Sequence, residues 1–245
     1  MATPDPQLPM FFSGIVPLEA SRHGKLKMQR GRDYGFARET NAIPIALNET
    51  AAAAADYPIV FGGKGRGAML AIVGYRDREN LFLDKDGSWR AGTYVPAYVR
   101  NYPFAFIEAP GNQLVLGIDP QAGLLGTAGE PLFNNSGQPT PPLNQAIELC
   151  KSLFGALKLT GEFLDALEAQ GLLVDNSAVI EFKTGGSARL GGFRVIDAAK
   201  FDALGDAVFL DWRKRGWLLP IYAHFIASAR WSRIVDLGAA ALGRA

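Results

Sequence analysis

One cysteine, two histidines and almost no surplus of either charge mark this 245-residue sequence, and each shortage closes a class of function. The lone Cys150 excludes an internal disulfide and any multi-cysteine metal site, and it fits a reducing compartment. His23 and His224 stand far apart with no acidic cluster nearby, so a catalytic zinc ion would lack its ligands. Lys and Arg number 25 against 24 Asp and Glu. No global field therefore draws the chain to nucleic acid or to an acidic membrane. No apolar run approaches the length of a membrane-spanning helix. A secretory leader needs a basic start and an apolar run. Residues 1–9 hold no Lys or Arg and have prolines at Pro4, Pro6 and Pro9, and the apolar run that follows is soon closed by Pro17. The expectation is a cytoplasmic protein with an unprocessed N-terminus, no membrane insertion, no cofactor and no metal.

Apolar residues, by contrast, are plentiful at 48% of the chain, enough for a sizeable core. Residues 1–245 are expected to form a single compact domain, mostly β over 10–120 and mostly α over 143–238. Extended segments are predicted at 11–18, 59–61, 68–76, 80–83, 104–108 and 113–118, giving an antiparallel sheet or small barrel. The alanine run at 51–55 predicts a short helix, with Asn48 as its cap and Glu49 at its positive end. Residues 97–101 suit one helical turn. The Gly- and Pro-rich stretch 119–142 is a long connection. Beyond it, 144–157 has Ile147, Cys150, Lys151, Phe154 and Leu157 spaced for one face of a helix. Thr160 is placed to cap a second helix that stops at Gly171. Segments 179–182 and 189–196 flank Gly185-Gly186 as a hairpin, and 206–236 is helical with a break near Gly216 and Pro220. The fold class expected is α+β, an N-terminal antiparallel sheet with a helical C-terminal part and a β-hairpin packed against it.

Several motifs fail on their chemistry. The glycines between Gly62 and Gly67 join two strands, whereas a phosphate loop needs Gly-Lys-Ser/Thr opening a helix. Asp84-Lys85-Asp86-Gly87-Ser88-Trp89 starts like a calcium loop, but Val95 stands where the closing glutamate is required, so a hairpin turn is expected. The helix-then-hairpin rhythm of 160–196 suggests a winged helix, yet its helix presents Glu162, Asp165 and Glu168, the wrong sign for phosphates. The basic run 22–38 reads either as a solvated edge strand or as an anion-docking surface.

What remains is a pair of Tyr-Pro steps, Tyr57-Pro58-Ile59-Val60-Phe61 and Tyr94-Val95-Pro96-Ala97-Tyr98-Val99-Arg100-Asn101-Tyr102-Pro103-Phe104. Proline holds the tyrosine before it extended and removes a backbone donor, so each step leads into a strand. These stretches, with Arg32-Asp33-Tyr34, Phe36-Ala37-Arg38, Asn41, Pro44, Asn80-Leu81-Phe82, Trp89, Gly192-Phe193, Ile196-Asp197 and Tyr222-Ala223-His224, resemble the SapC family of bacterial proteins, over roughly residues 17–235. That family usually has a basic pair before Tyr-Pro-Phe. Here Asn101 takes the second place, so only Arg100 carries over. The resemblance implies association with envelope (S-layer) protein export or TonB-dependent outer-membrane uptake, and it implies no reaction.

Arg38 and Arg100 stand among aromatics, and a partly buried guanidinium must find an acceptor. Either each pairs internally, with Glu49, Asp77 or Asp197, or it captures a ligand carboxylate or phosphate by a bidentate fork, with Tyr57, Trp89, Tyr98 and Tyr102 lining the pocket. His224 is either a satisfied buried histidine or, with Ser228 one turn on, a base beside a nucleophile. The expected function is a non-catalytic accessory or binding protein whose partner is a small molecule or an envelope-related protein. The alternative is an enzyme acting on a small carboxylated or peptidic substrate.

Overall fold

The computed structural model describes residues 8–29, 31, 33–63, 67–109, 113–181 and 187–242. The strands are β1 (Val16–Pro17), β2 (Lys27–Met28), β3 (Ala42–Pro44), β4 (Ile59–Gly62), β5 (Ala68–Ile72), β6 (Phe104–Ala109), β7 (Gln113–Ile118), β8 (Leu125–Gly126), β9 (Glu130–Pro131), β10 (Leu173–Glu181) and β11 (Ser187–Ile196). The α-helices are α1 (Ala20–His23), α2 (Thr50–Ala53), α3 (Ala97–Asn101), α4 (Pro141–Ala169), α5 (Ala198–Asp202), α6 (Asp206–Arg215), α7 (Leu218–Ala227) and α8 (Trp231–Leu242). All strand pairs among them are antiparallel, and the fold is α+β.

The strands form three sheets and no barrel, in the orders β1-β7-β6, β8-β2-β9 and β10-β11-β4-β5-β3. The C-terminal hairpin does not merely lie against the N-terminal sheet; it extends it, with Phe193 opposite Gly62 and Arg194 opposite Phe61. Strand β4 is a continuous apolar run because both its faces are covered. Ile59 and Phe61 enter the main core with Met69 and Ala71, whereas Val60 joins Ile72 and Phe193 on the opposite face. That division follows from the two-residue period of a strand.

The basic run 22–38 is not an edge strand. It is broken into α1, the central strand β2 and a 3-10 turn, Gly35–Ala37, and Arg30 and Arg32 lie outside the described residues. Segment 80–83 makes only a bridge, Leu83 to Trp89, across the expected Asp-Gly turn. The Gly62–Gly67 and Gly185-Gly186 turns fall partly or wholly outside the described residues.

The two helices expected around Thr160 are one. Helix α4 begins on Pro141 and Pro142, suited to a first turn whose donors have no helical partner, and runs through Gly155 and Gly161. Thr160 is interior: its hydroxyl donates to the Ala156 carbonyl at 2.7 Å and accepts the Leu47 N–H at 2.8 Å. Each mid-helix glycine costs about 1 kcal/mol, and burial of Phe163, Leu164 and Leu167 outweighs it, since a buried Leu or Phe contributes about 1.5–3 kcal/mol. The buried stripe is Leu143, Cys150, Leu153, Ala156 and Thr160; Lys151 and Phe154 face out. The stops at Gly171 and Gly216 stand as expected, with φ of 62° and 74°, where a side chain would be strained.

The main core joins both halves of the chain: Tyr57, Phe61 and Phe82 pack with Phe163, Trp217, Ile221 and Ile234. Residues 1–138 expressed alone are therefore expected to give no sharp thermal transition, since they leave the Phe61 side of the sheet bare. A soluble fragment with a cooperative melt would show two independent units instead.

Candidate functional site

The aromatic-arginine stretch enters the fold at three different depths, and the seven residues singled out in the sequence do not line one pocket. Tyr57 and Trp89 are core. Tyr57 is fully buried, its hydroxyl donates to the Tyr94 carbonyl, and it accepts the Trp89 Nε1–H at 2.9 Å. Burial pushes the Tyr57 phenol above its ordinary range, so it stays protonated and holds the Tyr94 backbone.

Tyr98 and Tyr102 fasten the N-terminal arm. The Met10 N–H donates to the Tyr98 hydroxyl at 3.1 Å. Tyr102 packs its ring on Phe36 at 4.2 Å and donates to Asp119 Oδ2 at 3.2 Å. Asp119, fully buried, also accepts the Ser13 and Gln121 N–H groups at 2.8 and 2.9 Å. Burial, with the neighbouring Asp119 charge, raises the Tyr102 phenol to about 12. Arg38 is exposed and donates to the Asp84 and Lys85 carbonyls at 3.0 and 3.4 Å, bracing the hairpin turn.

Arg100 sits differently. The Glu49 carboxylate, 5% exposed, accepts the Ala46 N–H at 2.8 Å, the Ala97 N–H at 2.6 Å and the Tyr94 hydroxyl at 2.7 Å. Tyr94 in turn accepts from Arg100 Nη2 at 3.2 Å. Arg100 Nε donates to the Val95 carbonyl at 3.0 Å, and the guanidinium lies 5.7 Å from the Tyr94 ring centre. The internal acid foreseen for Arg100 is thus reached only through a tyrosine. Burial and Glu49 raise the Tyr94 phenol to about 12, which keeps the proton on the link. Two of the five guanidinium N–H groups are spent, and among the described residues no carboxylate pairs with Arg100. Its side chain borders a cleft of about 420 Å³ shared by Gln29, Asn101, Phe104, Glu130, Gln145 and Leu149; Glu130 is itself engaged.

His224 is remote from this cleft in the contacts it makes. Its Nε2 accepts the Ile196 N–H at 3.1 Å and its Nδ1 lies 2.8 Å from the Ile59 carbonyl. A carbonyl only accepts and an amide N–H only donates, so the ring is neutral with its proton on Nδ1. Burial lowers its pKa to about 4. Ser228 gives its hydroxyl proton to the Phe225 carbonyl at 2.7 Å, so the His224–Ser228 pairing is not made. Cys150 is 2% exposed and burial lifts its thiol to about 11, far from the thiolate a nucleophile requires. Among the described residues no group of three His, Cys, Asp or Glu is arranged to hold a metal.

Sequence reasoning passed over Asp56 and Asp119, and it took Glu49 for a helix-start charge or a direct partner of an arginine. Asp56, 7% exposed, accepts the Tyr94 N–H at 2.8 Å and pairs with Arg233 at 2.5 Å. Their only local signal was an acid set in an apolar or Gly- and Pro-rich context. Each also takes a donor from far along the chain, 48 residues away for Glu49 and Ala97 and 106 for Asp119 and Ser13.

Among the described residues no helix is long and apolar enough to cross a membrane. A family model described as SapC matches residues 18–234. Neither the curated proteins nor the solved structures gave a match.

Proposed function

We propose that this chain, which belongs to the SapC family, is a cytoplasmic, non-catalytic binding or accessory protein serving envelope export or TonB-dependent uptake, and that Arg100 is its contact with a carboxylate-bearing ligand or partner. The observation that carries the reading is the contrast between Arg100 and the buried candidates. His224, Tyr57, Trp89, Tyr102, Glu49 and Asp119 each have their hydrogen-bonding groups engaged inside the fold. Arg38, also exposed, spends Nη2 on the Asp84 and Lys85 carbonyls, whereas Arg100 keeps a fork edge at the mouth of a cleft, fixed by Val95 and Tyr94 rather than by an acid. A planar fork pre-set on an aromatic ring suits a carboxylate, and lysine does not reproduce it.

Arg100→Lys is expected to leave the thermal midpoint nearly unchanged, because the side chain is exposed and such surface changes stay within about 0.5 kcal/mol. Its affinity for benzoate, used as an aromatic carboxylate probe, should fall at least about tenfold, the equivalent of roughly 1.4 kcal/mol. Isothermal titration of the two proteins decides it: equal benzoate affinity returns Arg100 to the scaffold. Fractionation that recovers the protein outside the cytoplasm would remove the compartment from the reading.

A further inference from the structure

A cavity larger than the Arg100 cleft lies elsewhere, where β4 and β11 stop pairing. Their ladder ends at Arg194 opposite Phe61. Continuing the register would set Val60 against Val195 and Ile59 against Ile196. Instead the imidazole of His224 is inserted between Ile59 and Ile196, taking the N–H of one and donating to the carbonyl of the other. The fold thus uses a buried histidine to hold apart two strands that could have bonded directly. The gap opens into a groove of about 690 Å³ bordered by Val60, Val195, Phe193, Trp231 and Val235. On the hairpin side β10 carries an irregularity between Asn176 and Ala178, and Val179, at the groove's edge, is 62% exposed.

Among the described residues that border the groove none is Asp, Glu, Lys or Arg, although Arg189 reaches its wall from outside by donating to the Ser177 hydroxyl at 2.9 Å, and His224 within it is held neutral by its two backbone partners. A charged occupant would give up part of its water to a wall that bears no charge of its own, so the wall favours a neutral one. Its polar side chains besides His224 are Asn176, Ser177, Ser228 and Ser232. The Ser228 and Ser232 hydroxyls donate to the Phe225 and Ala229 carbonyls at 2.7 and 2.9 Å, which leaves their oxygens able to accept. Sites of about 300–1,000 Å³, mostly apolar with few polar groups, are the usual size and character of small-molecule sites. We infer that this groove is a second site, separate from the Arg100 cleft, for a neutral, largely apolar small molecule carrying an N–H or O–H donor.

N-phenylnaphthylamine, a neutral aromatic amine with one N–H, and its sulfonated analogue, anilinonaphthalene sulfonate, share a skeleton and differ in charge. Fluorescence titration of the native protein is expected to show saturable binding of the neutral dye, with the sulfonate at least about tenfold weaker. Ser232→Asp and Ser228→Lys each place a charge in the wall at an exposed position. Each sign suits its helix end, the acid in the first turn of α8 and the cation at the close of α7, so the thermal midpoint should hold. Both variants should weaken the neutral dye at least about tenfold, and Ser228→Lys should restore the sulfonate. Equal binding of the two dyes, or neutral-dye binding untouched by both substitutions, overturns the assignment. So does a native dimer, seen by size-exclusion chromatography, that either charge dissociates, since a second copy would then be the occupant.

Discussion

His224→Gln is expected to abolish a loss of stability, about 3 kcal/mol in size, that the native protein suffers on acidification from pH 6.5 to 4. The native ring titrates near 4 because it is buried, against an ordinary value of 6.5. Between those values the unfolded chain carries a proton that the native state does not. Stability therefore rises with pH across that window, is complete above the unfolded value, and is lost as pH falls toward the native one. The geometry explains the shift: a protonated ring could not accept the Ile196 N–H and would set a donor against a donor. Glutamine offers one amide proton and one carbonyl oxygen to the same two backbone groups and does not titrate. Urea midpoints at pH 7, 6, 5 and 4 for both proteins isolate the effect, since other groups cancel in the difference. Parallel curves would remove the histidine from the account. His224→Ala, which orphans the Ile196 N–H and the Ile59 carbonyl and leaves a cavity, is expected to cost about 3–5 kcal/mol at neutral pH.

Glu49→Gln carries the second large effect. Three donors converge on the native carboxylate, one on Oε2 and two on Oε1. An amide has one acceptor oxygen, so its NH₂ must face either the Ala46 N–H or the Ala97 N–H with the Tyr94 hydroxyl. Hydrogen bonds to a charged group contribute about 1.5–3 kcal/mol each, and a buried donor left unpaired adds its own penalty. A loss of about 3 kcal/mol is expected, read from the urea midpoint at pH 7. In either orientation Tyr94 loses the charge of its acceptor, and with it part of what holds the ring that supports Arg100. Benzoate affinity should then fall in Glu49→Gln while Arg100 is still present. Unchanged stability would mean that the three bonds are exchanged for water at no cost, and unchanged affinity would mean that the Tyr94 link does not position the fork.

These two residues show where the sequence stops being readable. His224 was open to either a buried or a catalytic role because both its partners are backbone groups on strands β11 and β4, one of them 165 residues away. Glu49 looked like a favourable charge at a helix start. It does accept a nearby N–H in that manner, from Ala46, but its other two donors come from the segment around α3. Arg100 was legible as an exceptional side chain because the residues that fix it, Tyr94 and Val95, are within six positions. Tyr57, Tyr98, Tyr102 and Trp89 were legible as aromatics and not as members of different environments. Which face a ring turns to depends on what packs there.

By itself the sequence determined several local elements and some of their ends. The Tyr-Pro steps lead into β4 and β6, the turn at 97–101 is α3, the Asp-Gly turn closes on Trp89, and Gly171 and Gly216 end their helices. Each rests on steric limits of proline and glycine or on side-chain periodicity, which act within a few residues. The tertiary structure alone decided that α4 passes through Thr160 unbroken, that β11 joins β4, and that a histidine then parts the two strands. It also decided which acids are consumed inside and which arginine is left facing out. Those outcomes depend on hydrogen bonds spanning from 28 to 165 residues. A buried polar group must be paired, but nothing local says with whom.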